Sequence, residues 1–372
     1  MTRLWKVELR KSGMQGSIVG SMTQTHVFFV LLTALATAQG DLQRELESHD
    51  RAVNVMSYEW MRDPYIYVHG DGYFYLTATR LEEIAWGTQG IELWRSDNLT
   101  SWESIGVPWN FGKSSWLGTV ERAPEADKSS DFWLWSPEIY FMDDQWVMVH
   151  TTNRRRANLL VSFGGEYNDS FDEPFGESFG HRPDPSIFTD EDGSRWLVWG
   201  CDRIAKLKPD FSGFLGEEIV IGPSDRKLGH EGCSIRKVGS KYVLFGTAWS
   251  TDKDGQGTYN LYYCCSDKLT GPYGPRKFAG RFCGHGTVFR DKAGRWWTTA
   301  FLNGTYESDP IKGQQLCEKG QPWTVNTQGL TLVPLEVRLE KDGEPSIRAK
   351  SKFHAVPGPE EAQTFAPLLP GP

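Results

Sequence analysis

Three acidic residues occupy similar positions in a motif that the chain repeats. Arg62-Asp63-Pro64-Tyr65-Ile66 returns as Pro183-Asp184-Pro185-Ser186-Ile187, and His230-Glu231-Gly232-Cys233-Ser234-Ile235 follows. Each acid stands just before an apolar segment with the character of a strand. If the fold directs several strand starts to one central axis, the three acids meet in one pocket. Two or three carboxyl groups in a pocket are the catalytic equipment for hydrolysing glycosidic bonds.

Two further units of the repeat lack the acid. Ser136-Pro137-Glu138-Ile139 lies between the first two acids, and His285-Gly286-Thr287-Val288 lies after the third. The five units start at 63, 136, 184, 231 and 285, with spacings of 73, 48, 47 and 54 residues. Periods near this length are typical of propellers and solenoids.

A second, aromatic strand follows a polar turn in every unit. These strands are Tyr73–Leu76, Trp146–Val149, Trp196–Trp199, Tyr242–Phe245 and Trp296–Trp297. Short antiparallel strands joined by hairpin turns, repeated five times, predict an all-β fold, a five-bladed β-propeller. The segment from Leu330 to Arg348 predicts a hairpin that closes the ring. Proline at the start of a strand fits this pattern, because it has no backbone N–H to donate.

The N-terminal region has the features of a secretory signal peptide. Basic residues precede the apolar run Val27–Leu35, which is too short to span a bilayer, and Ala36-Thr37-Ala38 is a small-residue cleavage pattern. We therefore predict a signal peptide over 1–38, one catalytic propeller domain over 41–356, and a flexible tail rich in Pro and Gly over 357–372. The predicted location is secreted or periplasmic.

Composition narrows the classes of partner. The formal net charge is −8, which disfavours nucleic acid as a partner, and after signal cleavage no membrane segment is expected. A hydrophobic content of 39% is enough for a core. The six cysteines have no zinc-type spacing, and their pairing stays open. The expected partner is a carbohydrate substrate.

The motifs together resemble glycoside hydrolase family 43 and its relatives, which include family 117. The resemblance runs from about residue 60 to about residue 300 and rests on five motifs in the right order. They are Arg62-Asp63-Pro64, Trp135-Ser136-Pro137-Glu138, Asp184–Phe188 with Asp192-Gly193, Glu231-Gly232, and Gly284-His285-Gly286.

The resemblance implies an inverting enzyme on a five-bladed propeller. By matching motif, Asp63 is the general base that activates water, Asp184 tunes the pKa of the acid and orients it, and Glu231 is the general acid. An inverting site needs one ionised and one protonated carboxyl with room for water between them. A neighbouring carboxylate supports a protonated acid through like-charge repulsion.

The acid motif departs from the family 43 pattern. That family usually has Glu-Gly-Pro, and here the residues are Glu231-Gly232-Cys233, preceded by His230. A His-Glu pair at this point resembles family 117, in which the histidine is the proposed acid and the glutamate supports it. A histidine near its ordinary pKa can act as general acid near neutral pH. Both residues are candidates, and Glu231 is preferred.

Further residues are expected around the acids. In some family 43 members a histidine at the place of His285 lies beside a metal ion, often calcium, with waters completing its shell; the alternative is a channel histidine bonded to water or backbone. The chemistry itself requires no cofactor. Trp135, Glu138, Trp249 and Arg154 are candidate substrate-binding residues, with packing, or a solvated loop for Arg154, as the alternatives.

The function that these observations predict is hydrolysis of a terminal glycosidic bond of an oligo- or polysaccharide by an exported enzyme. Arabinofuranosides, xylosides and anhydro-galactosides are the candidate substrates. Two alternatives stay open. A non-catalytic carbohydrate-binding propeller would not need the three acids, and a glycoside phosphorylase would need a phosphate pocket near the base.

Overall fold

A computed structural model of the chain describes residues 39–80, 90–114, 133–152, 157–176 and 178–361. By its internal contacts the chain divides after Asp41, and the β-rich unit begins at Leu42. The predicted signal peptide and Arg154 lie outside the described residues. Helix α1 covers residues 39–48, and strand β1 (Val53–Met56) follows it.

Each of the next four sheets has four antiparallel strands in chain order. Blade 1 contains β2 (Arg62–Val68), β3 (Phe74–Thr79), β4 (Gly90–Ser96) and β5 (Glu103–Asn110). Blade 2 contains β6 (Leu134–Met142), β7 (Gln145–Thr152), β8 (Ala157–Ser162) and β9 (Phe171–Asp172). Blade 3 contains β10 (Ser186–Thr189), β11 (Arg195–Trp199), β12 (Arg203–Lys206) and β13 (Ile219–Val220). Blade 4 contains β14 (Glu231–Val238), β15 (Lys241–Trp249), β16 (Tyr259–Ser266) and β17 (Lys277–Gly280).

The fifth blade joins the two ends of the propeller. It contains β18 (Val288–Arg290), β19 (Trp296–Ala300), β22 (Leu330–Leu339) and β23 (Pro345–Ala349), and β1 completes it. Strand β1 pairs with the first part of β22, and β23 pairs with its second part as a hairpin. The predicted closing hairpin is confirmed. An N-terminal strand in the last blade closes the ring and leaves no gap between the first and last sheets.

An insertion separates β19 from β22. It holds β20 (Thr305–Tyr306), helix α2 (Pro310–Glu318) and β21 (Trp323–Thr324), and β20 pairs with β21 in parallel. The side chain of Asp309 caps the first turn of α2 by accepting a hydrogen bond from the backbone N–H of Ile311.

Hydrophobic cores lie between neighbouring blades. One joins blades 1, 2 and 3, and others join blades 5 and 1, blades 4 and 5, and blades 3 and 4. The first strands of adjacent blades contact one another, as β2 does with β6 and β18, and β10 with β14. The first strands therefore surround a common axis, which confirms the predicted five-bladed propeller.

The C-terminal boundary lies later than the sequence predicts. The flexible tail was expected from Pro357, yet Glu361 is buried and accepts hydrogen bonds from Tyr262 and Asn260, the latter at 2.9 Å. Glu360 pairs with Arg281. A buried carboxylate is stable only when such partners compensate its lost hydration, so residues 357–361 belong to the propeller. Within the described ranges, no helix has the length and apolarity needed to cross a membrane.

Candidate active site

The start of the first strand makes the same backbone turn in all five blades. The residue there has a positive φ: 52° at Asp63, 48° at Ser136, 49° at Asp184, 60° at Gly232 and 54° at His285. This conformation is uncommon for residues with a side chain, and Asp and His are among those that adopt it most readily. In blades 1, 2 and 4 the pairing register shifts directly around the turn. Bulges of this kind re-aim side chains.

The turn corrects the alignment of the three acids. Asp63 and Asp184 are the residues with the positive φ, which is the left-handed backbone conformation. In blade 4 Gly232 has this conformation, and Glu231 comes one residue earlier. Glu231 pairs with Thr247 across the strands, as Arg62 pairs with Thr79 in blade 1. The acids were predicted at equivalent points of the repeat. Asp63 and Asp184 are equivalent. Glu231 is offset by one residue, so its side chain leaves the backbone in a different direction from theirs.

Asp63 is held by three neighbouring side chains. The hydroxyl of Thr79 donates to Oδ2 of Asp63 at 2.8 Å, and the hydroxyl of Ser136 lies 3.5 Å from the same oxygen. Nδ1 of His285 lies 3.2 Å from Oδ1, and the two side chains are only 11% and 13% exposed. The residues at the starts of blades 1, 2 and 5 therefore meet at the axis, and Asp63 is fixed in one orientation.

Asp184 lies between blades 3 and 4. Its backbone N–H donates to the hydroxyl of Thr151 at 2.9 Å, and the N–H of Gly232 lies 3.4 Å from its Oδ2. Burial raises the pKa of Asp184, His285 opposes the rise, and the charges of Glu231 and Asp63 add to it. The three acids therefore interact electrostatically, as a shared site requires.

His285 carries the opposite charge within this group. Burial acts to lower its pKa, but the carboxylates of Asp63, Asp184 and Glu231 outweigh that effect, and the pKa is raised above its ordinary value. An imidazolium beside Asp63 compensates part of the negative charge that the acids bring to the axis.

Glu231 extends towards solvent together with His230. Their side chains are 37% and 41% exposed, and Nε2 of His230 lies 3.7 Å from Oε1 of Glu231. The same Oε1 accepts a hydrogen bond from the hydroxyl of Tyr259, whose ring is buried. Tyr259 thus fixes the Glu231 carboxyl through Oε1.

A cavity of about 590 Å³ opens beside Glu231, whereas Asp63 and His285 line a smaller cavity on the axis. Asp184, His230 and Glu231 lie in the wall of the larger cavity, with Trp135 and Trp249. Its rim carries both signs of charge, from Arg226, Lys227, Arg276, Asp252 and Asp254. A cavity of this size is within the range of small-ligand sites.

The two predicted tryptophans reach the cavity in different ways. Trp135 is half-buried, whereas Trp249 is only 8% exposed and packs against Tyr259 with ring centroids 4.7 Å apart. The indole N–H of Trp249 donates to Asp254 at 3.1 Å. Trp135 is therefore better placed to stack on a sugar, and Trp249 chiefly supports Tyr259.

Glu138 does not reach this cavity. It lines a smaller one on the axis with Asp63, His285 and Gly232, and its carboxylate accepts a hydrogen bond from Tyr140. Burial raises the pKa of Glu138 to about 7. Glu138 thus shares the axial cavity with Asp63, and its role as a sugar-binding residue stays a prediction. The bulge between Trp135 and Glu138 separates the two side chains, so that only Trp135 faces the large cavity.

The side chains around His285 do not form a calcium cage. Calcium takes about six to eight oxygen ligands in proteins. In the described parts of the chain no group of three or more His, Cys, Asp or Glu side chains is arranged to hold a metal ion. Nδ1 of His285 already faces Asp63. The metal ion near His285 stays a prediction, and no catalytic step below involves it.

Thr79 and Tyr259 are site residues that the sequence reasoning missed. Thr79, Thr151 and Thr247 lie in the last residues of the second strands of blades 1, 2 and 4. Each hydroxyl accepts the N–H of the positive-φ residue at the start of the next blade, at 2.7–2.9 Å. Each threonine comes 15 or 16 residues after the positive-φ residue of its own blade, and this spacing can be seen in the sequence. No pattern in the sequence indicated the hydrogen bond that Tyr259 donates to Glu231.

Comparison with known proteins agrees with this geometry. The sequence model of glycosyl hydrolases family 43 matches residues 53–327. A β-D-galactofuranosidase, xynD, of Aspergillus niger is 24% identical over 289 residues, covering 70% of this chain and 79% of that protein. Xylosidase/arabinosidase 43B of Humicola insolens is 24% identical over 265 residues, covering 63% of this chain and 46% of that protein.

Solved structures share the fold. The family 43 protein BlXynB of Bacillus licheniformis superposes with a TM-score of 0.58 and 19% identity, covering 82% of this chain and 58% of that one. An exo-1,5-α-L-arabinanase from a bovine ruminal metagenomic library gives a TM-score of 0.54 and 18% identity, with coverage of 80% and 98%. With the family model matching most of its length, the chain belongs to glycosyl hydrolases family 43 and is a glycoside hydrolase.

Proposed function

We propose that the enzyme releases a terminal furanosyl or xylosyl residue from an oligo- or polysaccharide with inversion at the anomeric carbon. The proposal rests on the different positions of the three acidic side chains. Asp63 is nearly buried at the axis, while Glu231 stands in the wall of the cavity with Asp184 beside its backbone. The names of the two curated relatives, a galactofuranosidase and a xylosidase/arabinosidase, support the substrate class.

Asp63 acts as the general base. Thr79 and Ser136 engage Oδ2, and His285 faces Oδ1. Held in this way, the carboxylate takes a proton from a water molecule as that water attacks the anomeric carbon. The base acts as a carboxylate, and the imidazole of His285 stands beside it.

Glu231 acts as the general acid. Its carboxyl gives a proton to the glycosidic oxygen as the bond to the leaving group breaks, so one proton enters at Asp63 and one leaves from Glu231 in each turnover. Tyr259 holds the carboxyl from the side of Oε1. Asp184 positions the segment through the backbone N–H of Gly232.

His230 is the second candidate for the acid. It is 41% exposed in the cavity wall, and its Nε2 lies 3.7 Å from Glu231. In that arrangement Glu231 stays ionised and supports an imidazolium, which gives the proton to the leaving group.

Hydrolysis of a substrate panel tests the function. The panel contains nitrophenyl α-L-arabinofuranoside, β-D-galactofuranoside and β-D-xyloside, arabino- and xylo-oligosaccharides, and neoagaro-oligosaccharides for the anhydro-galactoside reading. We expect turnover of at least one furanoside or xyloside, and a loss of about 10³-fold or more in Asp63→Asn, because general base catalysis contributes up to about 10⁴-fold. Absence of turnover throughout, with sugar binding preserved in Asp63→Asn, contradicts the proposal and favours a binding protein. Turnover that requires added phosphate favours a phosphorylase.

Leaving groups of different basicity decide between the two acids. A dinitrophenyl glycoside needs no proton to depart, whereas an unactivated disaccharide does. If Glu231 is the acid, Glu231→Gln loses most of its kcat on the disaccharide and little on the dinitrophenyl substrate, while His230→Gln affects both alike. The reverse pattern assigns the acid to His230.

Export is a separate proposal, which rests on the predicted signal peptide over 1–38. We expect the enzyme in the medium or periplasm, with an N-terminus near Gln39 when sequenced. A retained N-terminus in a cell-associated protein would count against it.

A further inference from the structure

The junction between blades 3 and 4 lacks a bond that other junctions have. At three other junctions a threonine hydroxyl accepts the backbone N–H of the positive-φ residue in the next blade, and at the junction of blades 5 and 1 the hydroxyl of Thr299 donates to the carbonyl oxygen of Pro64. In blade 3 the residue at the threonine position is Gly200, which has no hydroxyl. The N–H of Gly232 lies 3.4 Å from the Asp184 carboxylate instead. The backbone around Glu231 is therefore attached to blade 3 without the threonine hydroxyl found at the junctions of blades 1 and 2, 2 and 3, and 4 and 5.

Two cysteines flank the same junction. Cys201 follows Gly200 in the turn between β11 and β12, and Cys233 follows Gly232 in β14. Both are buried in the core between blades 3 and 4, and their thiols are joined by a hydrogen bond. The thiol of Cys201 also contacts the carbonyl oxygen of Glu231 at 3.1 Å.

The backbone conformation of Cys201 and the glycine at position 246 accommodate the Cys201 side chain. Cys201 has a φ of 62°, an uncommon conformation for a residue with a side chain. A side chain at Gly246 would begin only 2.8 Å from the Cys201 sulfur. Of the other four cysteines, all of them described, Cys264 lies in the same core as the pair, Cys265 and Cys283 lie in the core between blades 4 and 5, and Cys317 lies in α2.

We propose that Cys201 and Cys233 form a disulfide that links blade 3 to blade 4 and fixes the backbone of Glu231. The oxidant is a disulfide of low molecular mass, such as oxidised glutathione. One cysteine thiolate attacks it and releases one thiol. The second cysteine then displaces the other, so that two protein thiols give one disulfide and the oxidant gives two thiols. Because both thiols are buried in the folded protein, the bond forms during folding in an oxidising compartment.

Refolding in a glutathione buffer tests the proposal on the full chain. The protein is refolded with oxidised and reduced glutathione, denatured in iodoacetamide without reductant, digested and analysed by mass spectrometry. We expect a linked pair of peptides containing Cys201 and Cys233, about 2 Da lighter than the sum of the free peptides. Alkylation of both cysteines in the folded, oxidised protein overturns the proposal, as does a link from either one to another cysteine.

Thermal unfolding gives a second measurement with a matched control. Oxidised wild type should unfold several degrees above the reduced protein, because the bond restricts the unfolded chain between the two blades. Cys201→Ala and Cys233→Ala should abolish the difference, whereas Cys283→Ala, which removes a buried thiol from another core, should keep it. A redox-dependent Tm that survives in Cys201→Ala overturns the assignment. None of these readouts depends on which sugar the enzyme cleaves.

Discussion

The imidazole of His285 lies 3.2 Å from the carboxylate of Asp63, so the start of the last blade contacts the start of the first. The contact between the last and first blades of the propeller therefore also holds Asp63 in place. Any change that loosens the closure of blade 5 should also disturb Asp63.

Removing the His285 charge should impair catalysis. We expect His285→Gln to lower kcat about 10- to 100-fold, because Asp63 loses the cation beside it. His181→Gln, at an exposed position, is the matched control and should keep wild-type activity. Equal activity of His285→Gln and wild type across the pH range would show that the contact has no catalytic role.

The same pair predicts the direction of a pH effect on stability. The folded-state pKa of His285 is raised, so its contribution to the free energy of unfolding is complete below the unfolded pKa of about 6.5 and is lost as the pH rises through the folded value. Urea unfolding of wild type and His285→Gln, measured between neutral and alkaline pH, should therefore converge as the pH increases. A gap that widens with pH would contradict this sign.

Loss of the Tyr259 hydroxyl should affect turnover more than binding. We expect Tyr259→Phe to reduce kcat about tenfold with a nearly unchanged KM, because Glu231 loses the donor that orients it. The loss should shrink on a dinitrophenyl glycoside. Tyr263→Phe, on the same strand but packed between blades 4 and 5, is the control. A change confined to KM would instead assign Tyr259 to substrate binding.

The hydroxyl of Thr79 should matter for both folding and catalysis. It accepts the N–H of Ser136 at 2.8 Å and donates to Asp63 at the same distance. Thr79→Val keeps the shape but leaves a buried N–H unpaired, which costs about 1–3 kcal/mol of stability, and it frees Asp63 to rotate. Thr79→Ser should restore most of both properties in urea unfolding and kcat/KM measurements. Failure of the serine to restore either would point to packing by the methyl group.

His150 should make the protein sensitive to acid. It is buried beside Trp109 and Phe111, and neither ring nitrogen has a partner in the described part of the chain. Burial lowers its pKa to about 4. The unfolded chain binds a proton at pH values where the folded one does not, so stability falls between about pH 6.5 and pH 4, by roughly 3 kcal/mol at most.

His150→Leu tests this sensitivity. The variant should lose stability less steeply than wild type as the pH falls below 6.5, in unfolding curves measured at several pH values. His354, whose pKa burial also lowers to about 4, remains in the variant and keeps part of the slope. Parallel curves for the two proteins would exclude His150 as a source of acid sensitivity.

The sequence predicted the fold because the repeat is local. Alternating strands, hairpin turns and the five unit starts were all readable from short segments, and the structure has five blades at those positions. The offset of Glu231 was not readable in the same way, since Asp63 and Glu231 both precede an apolar strand. The positive φ of Gly232 and the pairing of Glu231 with Thr247 show that Gly232 holds the equivalent position.

Residues that depend on distant contacts were harder to predict. Glu138 was expected to reach the substrate, but a bulge directs it into the axial cavity. The tail was expected to be loose because of its Pro and Gly, but Glu361 is buried against Tyr262. Such placements depend on partners about 100 residues away, for which composition and local pattern carry no signal.

The most direct test of the proposed inverting site is the anomeric configuration of the first sugar released. Proton NMR during rapid hydrolysis of the preferred nitrophenyl glycoside, begun before mutarotation, reports it. The inverted anomer is expected from wild type, with no release above background in Asp63→Asn. The retained anomer would mean that a carboxylate attacks the sugar directly, and would contradict Asp63 as a base that activates water.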